Sequence, residues 1–172
     1  TLTIASGADV ETSVGAGSAI DLIANDMDLS GTVTAAMADA EVLLKAKTGS
    51  TAINLGGSGG GLELSAAELN AIAADILRIG DSSTNAAVTL TGAWTPGSTV
   101  GDTRLEIETS STVTATAAAL NMGTSTGDLV VRAGGAVNLG TVSHDFNTVA
   151  VTTGATASAV TIKDGVDGMT IG

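Results

Sequence analysis

Apolar and polar residues alternate in short stretches along the whole chain: Ala19-Ile20-Asp21-Leu22, Glu41-Val42-Leu43-Leu44, Ala87-Val88-Thr89-Leu90, Arg104-Leu105-Glu106-Ile107, Asp128-Leu129-Val130-Val131, Thr148-Val149-Ala150-Val151 and Ala159-Val160-Thr161-Ile162. Residues two apart in an extended strand share a face, so the apolar pairs point one way and the polar residues between them the other. The pattern predicts short strands with one buried face. Five stretches also end in apolar-x-apolar-Gly: Ile53-Asn54-Leu55-Gly56, Leu77-Arg78-Ile79-Gly80, Leu120-Asn121-Met122-Gly123, Val137-Asn138-Leu139-Gly140 and Met169-Thr170-Ile171-Gly172. Their glycines lie 24, 43, 17 and 32 residues apart. These intervals fit a strand-and-turn unit of roughly twenty residues, sometimes skipped. A strand with two inward apolar residues cannot bury them alone. Stacked copies build a continuous core and pair each backbone with the coils above and below, so the pattern predicts a β-solenoid.

Turns are expected at Gly15-Ala16-Gly17, the glycine-rich run 56–61, Thr95-Pro96-Gly97, Gly134-Gly135 and Asp164-Gly165, where glycine allows positive φ. The same pattern continues on both sides of the run at 56–61, which keeps residues 1–172 in a single solenoid segment. One stretch departs from strand spacing. Ser65-Ala66-Ala67-Glu68 is a capping box, followed by Leu69, Ile72, Ala73 and Ile76 at helical intervals, so a short helical excursion near 66–73 is expected before the strand resumes at Ile76.

Composition narrows the interior. Of 172 residues 44% are hydrophobic, yet there is one Trp, one Phe and no Tyr, so the core is built from Val, Ile, Leu, Met and Ala. A sandwich of this length ordinarily needs aromatics to span about 10 Å between sheets, whereas a solenoid is narrower. There are 26 Thr, 23 Gly and one Pro, a mixture that joins β propensity to frequent turns. The net charge of −12, with only six Lys and Arg, excludes nucleic acid and anionic membrane as natural partners. Cysteine is absent, which removes disulfides and thiolate metal sites. The chain opens on strand-like Thr1-Leu2-Thr3-Ile4 and stops inside a repeat, so a segment of a longer chain or a filament subunit is expected.

The stretch Ala52-Ile53-Asn54-Leu55-Gly56, then Leu62 to Ile72, then Leu77-Arg78-Ile79-Gly80, resembles repeats of the filamentous-haemagglutinin-like exoproteins of two-partner-secretion type in Gram-negative bacteria. Asp145 to Val151, Ala159 to Asp164 and Met169 to Gly172 resemble the same repeat type. That resemblance implies an all-β, right-handed parallel β-helix, secreted and folded outside the cell as a stalk or fibre, with no catalytic residues. Roughly seven to nine rungs spaced about 4.8 Å apart make a rod about 35–45 Å long. Its two open sheet ends offer unpaired backbone groups, so end-to-end self-association is expected.

Several patterns invite chemistry. Ser143-His144-Asp145 holds the residue types of a hydrolase triad, but neighbours on a strand face opposite ways. His144 is therefore read as a solvated turn residue. Asp26 and Asp28, and Asp164 and Asp167, suggest calcium, although their spacing matches neither an EF-hand nor a nonapeptide repeat. The run Gly56 to Gly61 lacks the Lys-Ser or Lys-Thr of a phosphate loop. Thr-x-Thr pairs at Thr1/Thr3, Thr32/Thr34, Thr89/Thr91, Thr112/Thr114/Thr116 and Thr124/Thr126 suggest an ice-binding ladder, but their intervals are uneven and Thr suits any outward strand position. Trp94, beside Pro96 in a loop, is thin support for a sugar platform.

The expectation is thus a non-enzymatic, extracellular or cell-surface solenoid that serves as stalk, adhesin shaft or self-assembling filament subunit. It needs no catalytic residue, cofactor or metal, and no membrane insertion. The alternative is a module that recognises a host-cell or surface glycan, or ions, through its outer face and loops such as 92–103.

Overall fold

A computed structural model of the chain describes residues 1–12, 17–35, 37–123, 127–154, 158–165 and 168–172. Of the expected turn at 15–17 only Gly17 is described, and Thr124, Thr126 and Asp167 lie outside the described residues. The chain winds through about seven coils. The first holds β1 (Leu2–Ile4), β2 (Asp9–Thr12) and β3 (Ala19–Ile23), and the second β4 (Met27–Leu29), β5 (Thr32–Ala35) and β6 (Glu41–Lys45). The third is the most elaborate, with β7 (Ile53–Gly56), β8 (Leu62–Ser65), α1 (Ala66–Leu69) and β9 (Ile72–Ile79). Two strands each make the rest: β10 (Val88–Leu90) and β11 (Val100–Thr109), β12 (Val113–Ala115) and β13 (Asp128–Ala133), β14 (Val137–His144) and β15 (Thr148–Thr153), β16 (Val160–Asp164) and β17 (Thr170–Ile171).

Every strand pairing is parallel. One sheet runs β16-β14-β12-β10-β7-β8, and the other runs β17-β15-β13-β11-β9 before forking onto β5-β2 and β6-β3. β1 pairs with β4, and the bridges Trp94–Leu120 and Asn121–Asp145 mark a narrow third face between the sheets. All seven alternating segments coincide with strands, Ala87 and Ala159 lying just before β10 and β16, and Leu105, Leu129 and Val149 in them are fully buried. Register superposes them. Ile20, Val42, Leu77, Leu105, Leu129, Val149 and Ile171 form one column through seven coils. Leu62, Ile53, Val88, Val113, Val137 and Val160 form another on the opposite sheet.

The glycine-terminated segments do not superpose as one structural position. Those at 53–56 and 137–140 lie in the first sheet, those at 77–80 and 169–172 in the second, and Leu120 and Asn121 on the third face. Within the second sheet, Ile171 aligns with the Leu77 column rather than with Ile79, so Gly172 and Gly80 are two residues out of step. A tight turn can follow a strand on any face, so a terminal glycine marks a strand end without identifying which strand.

The glycine run makes the chain step backwards. β8 pairs in parallel with β7 only nine residues away, Ile53 beside Leu62, where parallel neighbours ordinarily need a longer crossover. Positive φ at Gly56 (77°) and Gly60 (79°) permits the short return, and at Gly56 a Cβ would collide with the Gly92 carbonyl. Two outward side chains hold the return leg: Asn54 Nδ2 donates to the Gly60 carbonyl, and Glu63 Oε1 accepts the N–H groups of Gly59 and Gly60 at 3.0 and 2.7 Å.

The helix is shorter than the helical spacing suggests. Its capping box forms as expected, with Glu68 N–H donating to Ser65 Oγ and Glu68 Oε2 accepting from Ser65 N–H at 2.8 Å. Helical geometry stops at Leu69, and Ile72 already pairs with Val33. Asn70 is the C-cap, and its side chain reaches the next coil: Oδ1 accepts from Trp94 Nε1 at 3.0 Å and from Gly97 N–H at 3.2 Å.

Candidate functional site

The outward face of the second sheet holds a charge cluster centred on Glu106. Strand alternation sends Arg104 and Glu106 out on the same side of β11, while register puts Arg78 of β9 beside Glu106. Arg132 approaches from β13, one coil further on. Arg78 Nε lies 3.9 Å and Arg104 Nε 3.4 Å from Glu106 Oε2, Arg132 Nη1 pairs with Oε1, and Arg78 Nη2 also reaches Glu41 Oε2 at 2.6 Å. These are the chain's three arginines. Their stems cover Glu106, which is 1% exposed although it points away from the core. The cluster ties β6, β9, β11 and β13 together. Local alternation predicts a solvated Glu106; beside Arg104 on its own strand, two of the covering arginines come from 28 and 26 positions away, and the hint in the sequence is arginine recurring at near-coil intervals.

A second ion pair joins successive coils. Lys45 Nζ pairs with Asp81 Oδ2, and Asp81 Oδ1 accepts from Ser83 N–H at 2.9 Å. Partial burial opposes ionisation of Asp81, but these partners outweigh it and hold its pKa at about 2. The stabilisation is therefore complete above the ordinary carboxylate value of 3.8 and is lost as pH falls towards 2.

The serine-histidine-aspartate run is not a catalytic arrangement, and His144 is not a solvated turn residue. Its side chain points inward and is 1% exposed, while Ser143 on the preceding position is exposed. Nδ1 accepts the Leu120 N–H at 3.0 Å, which assigns the proton to Nε2. That nitrogen is buried without a hydrogen-bond partner. The ring stacks on Phe146 with centroids 5.0 Å apart and planes inclined by 10°. Burial lowers the pKa of His144, opposed by the Leu120 hydrogen bond and the attraction of Asp164, its register partner on β16.

A depressed imidazole pKa carries a definite pH signature. Above the ordinary value of 6.5 both folded and unfolded chains hold the ring neutral; below it the unfolded chain binds a proton that the buried ring refuses. Stability is expected to be level above about pH 6.5 and to fall below it, before carboxylates titrate. Urea unfolding at a series of pH values checks this. A His144→Gln variant should lose the slope between about pH 6.5 and 5, and an unchanged slope would refute the assignment.

Trp94 is buried rather than displayed in a loop, which removes the thin support it gave to a sugar platform. It is 1% exposed, held by Asn70 and paired in the backbone with Leu120, so it is core and offers no platform to a sugar. The loop after it ends at Val100, where β11 begins.

The remaining candidates are dispersed. Asp28 Oδ1 accepts from Ser30 Oγ at 2.6 Å, Asp26 accepts from the Thr1 hydroxyl, and Asp164 Oδ1 accepts from Phe146 N–H at 3.2 Å. Among the described residues no three acidic or histidine side chains gather as a metal site. Two amides of the glycine run, those of Gly59 and Gly60, are taken by Glu63, whose pKa these hydrogen bonds lower. Thr3 lies in β1, Thr32 and Thr34 in β5, and Thr89, Thr114 and their neighbours near the first sheet. Thr89 and Thr114 do align, 3.3 Å between hydroxyls, but Asn54 and Asn138 flank them in the same column, so no continuous threonine face forms among the described residues.

Two open hollows mark the outer surface, one of about 230 Å³ near Thr34, Asp75 and Asp102, the other of about 240 Å³ near Ser110, Arg132 and Thr152. An interior gap lined by Leu55, Leu90, Leu120 and Leu139 measures about 10 Å³, barely enough for one water. Among the described residues no helix is long and apolar enough to cross a membrane. The fold defines a β-solenoid. Comparison with family models, with curated proteins and with solved structures found no match.

Proposed function

We propose that the chain is a structural rod: a non-enzymatic solenoid that acts as a stalk, adhesin shaft or filament subunit outside the cell or on its surface, and that assembles end to end. The observation that carries this reading is the column from Ile20 to Ile171, which passes through every coil without interruption. A stack in which each coil is hydrogen-bonded to its neighbours resists bending and can be extended by adding coils. Resemblance of the repeats to haemagglutinin-like exoproteins supports the same role and the extracellular setting.

Inward-facing apolar residues are exposed in the first and last described coils: Val10 is 36% exposed, Val160 48% and Ile171 69%. Open parallel edges with uncovered aliphatic residues are templates for another strand. Sedimentation velocity over a rising concentration series should show progressive association. Electron microscopy should show rods longer than a single molecule, about 35 Å. Only single particles at high concentration would count against assembly.

A further inference from the structure

We propose that His144 is a local acid switch: on gaining a proton its ring releases the Leu120 N–H, and the third face of the solenoid opens around it while both sheets stay closed. This goes beyond the rod reading and does not depend on it. In the sheets, backbone groups of adjacent coils pair along whole strands. On the third face the pairing among the described residues is two isolated bridges, Trp94–Leu120 and Asn121–Asp145. Between them a side chain stands in for the main chain. The Leu120 N–H donates to His144 Nδ1 at 3.0 Å, where a backbone carbonyl would serve at any pH.

A protonated imidazole has no acceptor, because both nitrogens then carry hydrogen. Nδ1–H and the Leu120 N–H would confront each other as two donors, in a site where His144 is 1% and Leu120 3% exposed. Nε2, already without a hydrogen-bond partner, would share a buried charge. Neighbouring charges offer little relief. Asp164, the register partner on β16, attracts the ring, but its Oδ1 already accepts from the Phe146 N–H at 3.2 Å. Lys163 beside it is exposed, and residues 118–122 carry no titratable group. Asp145, the next residue after His144, alternates to the other side of the chain. The charged ring therefore gains most by swinging out to water. That movement uncovers Phe146, on which the ring stacks and which is otherwise 2% exposed. Opening a face with few backbone bonds costs less than unfolding the stack, so the response is confined to the coils that meet at Trp94, Leu120 and Asp145.

Amide hydrogen exchange of the full chain, read residue by residue by nuclear magnetic resonance and corrected for the intrinsic pH dependence of exchange, separates a local opening from a global one. The Leu120 amide should be at least about tenfold less protected than the amides of Leu77 and Leu129, which lie fully buried in the second sheet. Low urea should leave its protection unchanged, because a local opening exposes little surface. That protection should be level above the ordinary histidine value of 6.5 and fall about tenfold for each pH unit below it, since the opened ring binds the proton that the buried ring refuses. In His144→Gln the side-chain oxygen can accept the Leu120 N–H and does not titrate, so the pH dependence at Leu120 should vanish. Equal protection of Leu120, Leu77 and Leu129 at every pH would show that the stack opens only as a whole and would overturn the switch. Protection at Leu120 that does not change with pH would overturn it as well. Both comparisons are made in the unsubstituted chain, so the outcome stands even where the variant folds poorly.

Discussion

Replacing Ile79 with aspartate is expected to cost about 5 kcal/mol or more, comparable with the whole folding free energy of many domains. Ile79 is fully buried, with Leu44 and Ile107 as register partners in the adjacent coils. A carboxylate there loses its hydration and finds only aliphatic neighbours. Leu55→Asp, on the opposite sheet and 1% exposed, should behave alike. The damage spreads because each coil buries its neighbour: once the third coil opens, the inward residues of the second and fourth meet water. Asn138→Asp, on an exposed outward position of β14, should change stability by less than about 0.5 kcal/mol. Denaturant unfolding of the three variants separates inward from outward positions. Unchanged circular dichroism in Ile79→Asp would contradict the assigned face.

Glu106→Ala is expected to be the most harmful change outside the core, at about 3 kcal/mol. Removing a buried carboxylate leaves the arginines that surround it unbalanced. Arg78, Arg104 and Arg132 keep side-chain exposures of 30%, 36% and 47%, so water relieves part of the repulsion and the loss stays below that of Ile79→Asp. Arg132→Ala removes one of several partners and should cost about 1 kcal/mol. Raising salt should narrow the gap between Glu106→Ala and the unsubstituted chain, since screening weakens the repulsion among the remaining arginines. Urea unfolding at low and high ionic strength measures this, and equal stability of Glu106→Ala and the unsubstituted chain would show that the cluster has no role in holding the coils together.

What sequence alone revealed was set by how local the physics is. Alternation in Glu41-Val42-Leu43-Leu44 or Arg104-Leu105-Glu106-Ile107 depends only on strand geometry, and those segments are strands facing the core as expected. Ser65 and Glu68 likewise form a capping box from contacts three residues apart. The misreadings came where a neighbouring coil decides the outcome. Glu106 is outward but covered by Arg78 and Arg132 from other coils. His144 looks like a loop residue until the Leu120 N–H, one coil earlier, captures its ring nitrogen. Trp94 sits beside a proline, yet Asn70, a coil away, draws its indole inside. The nine-residue backward step at β7 and β8 could not be foreseen from glycine content, which permits a turn without specifying where the chain goes next.

The most direct test of the stacked column is a set of spin-label distances in protein diluted with unlabelled chain. Labels on Ala19 paired in turn with Asp128, Thr148 and Thr170 occupy one outward line, four, five and six strands apart. Distances near 19, 24 and 29 Å, each step adding about one strand spacing, are the predicted result. Three distances that fail to increase in that order would contradict the solenoid.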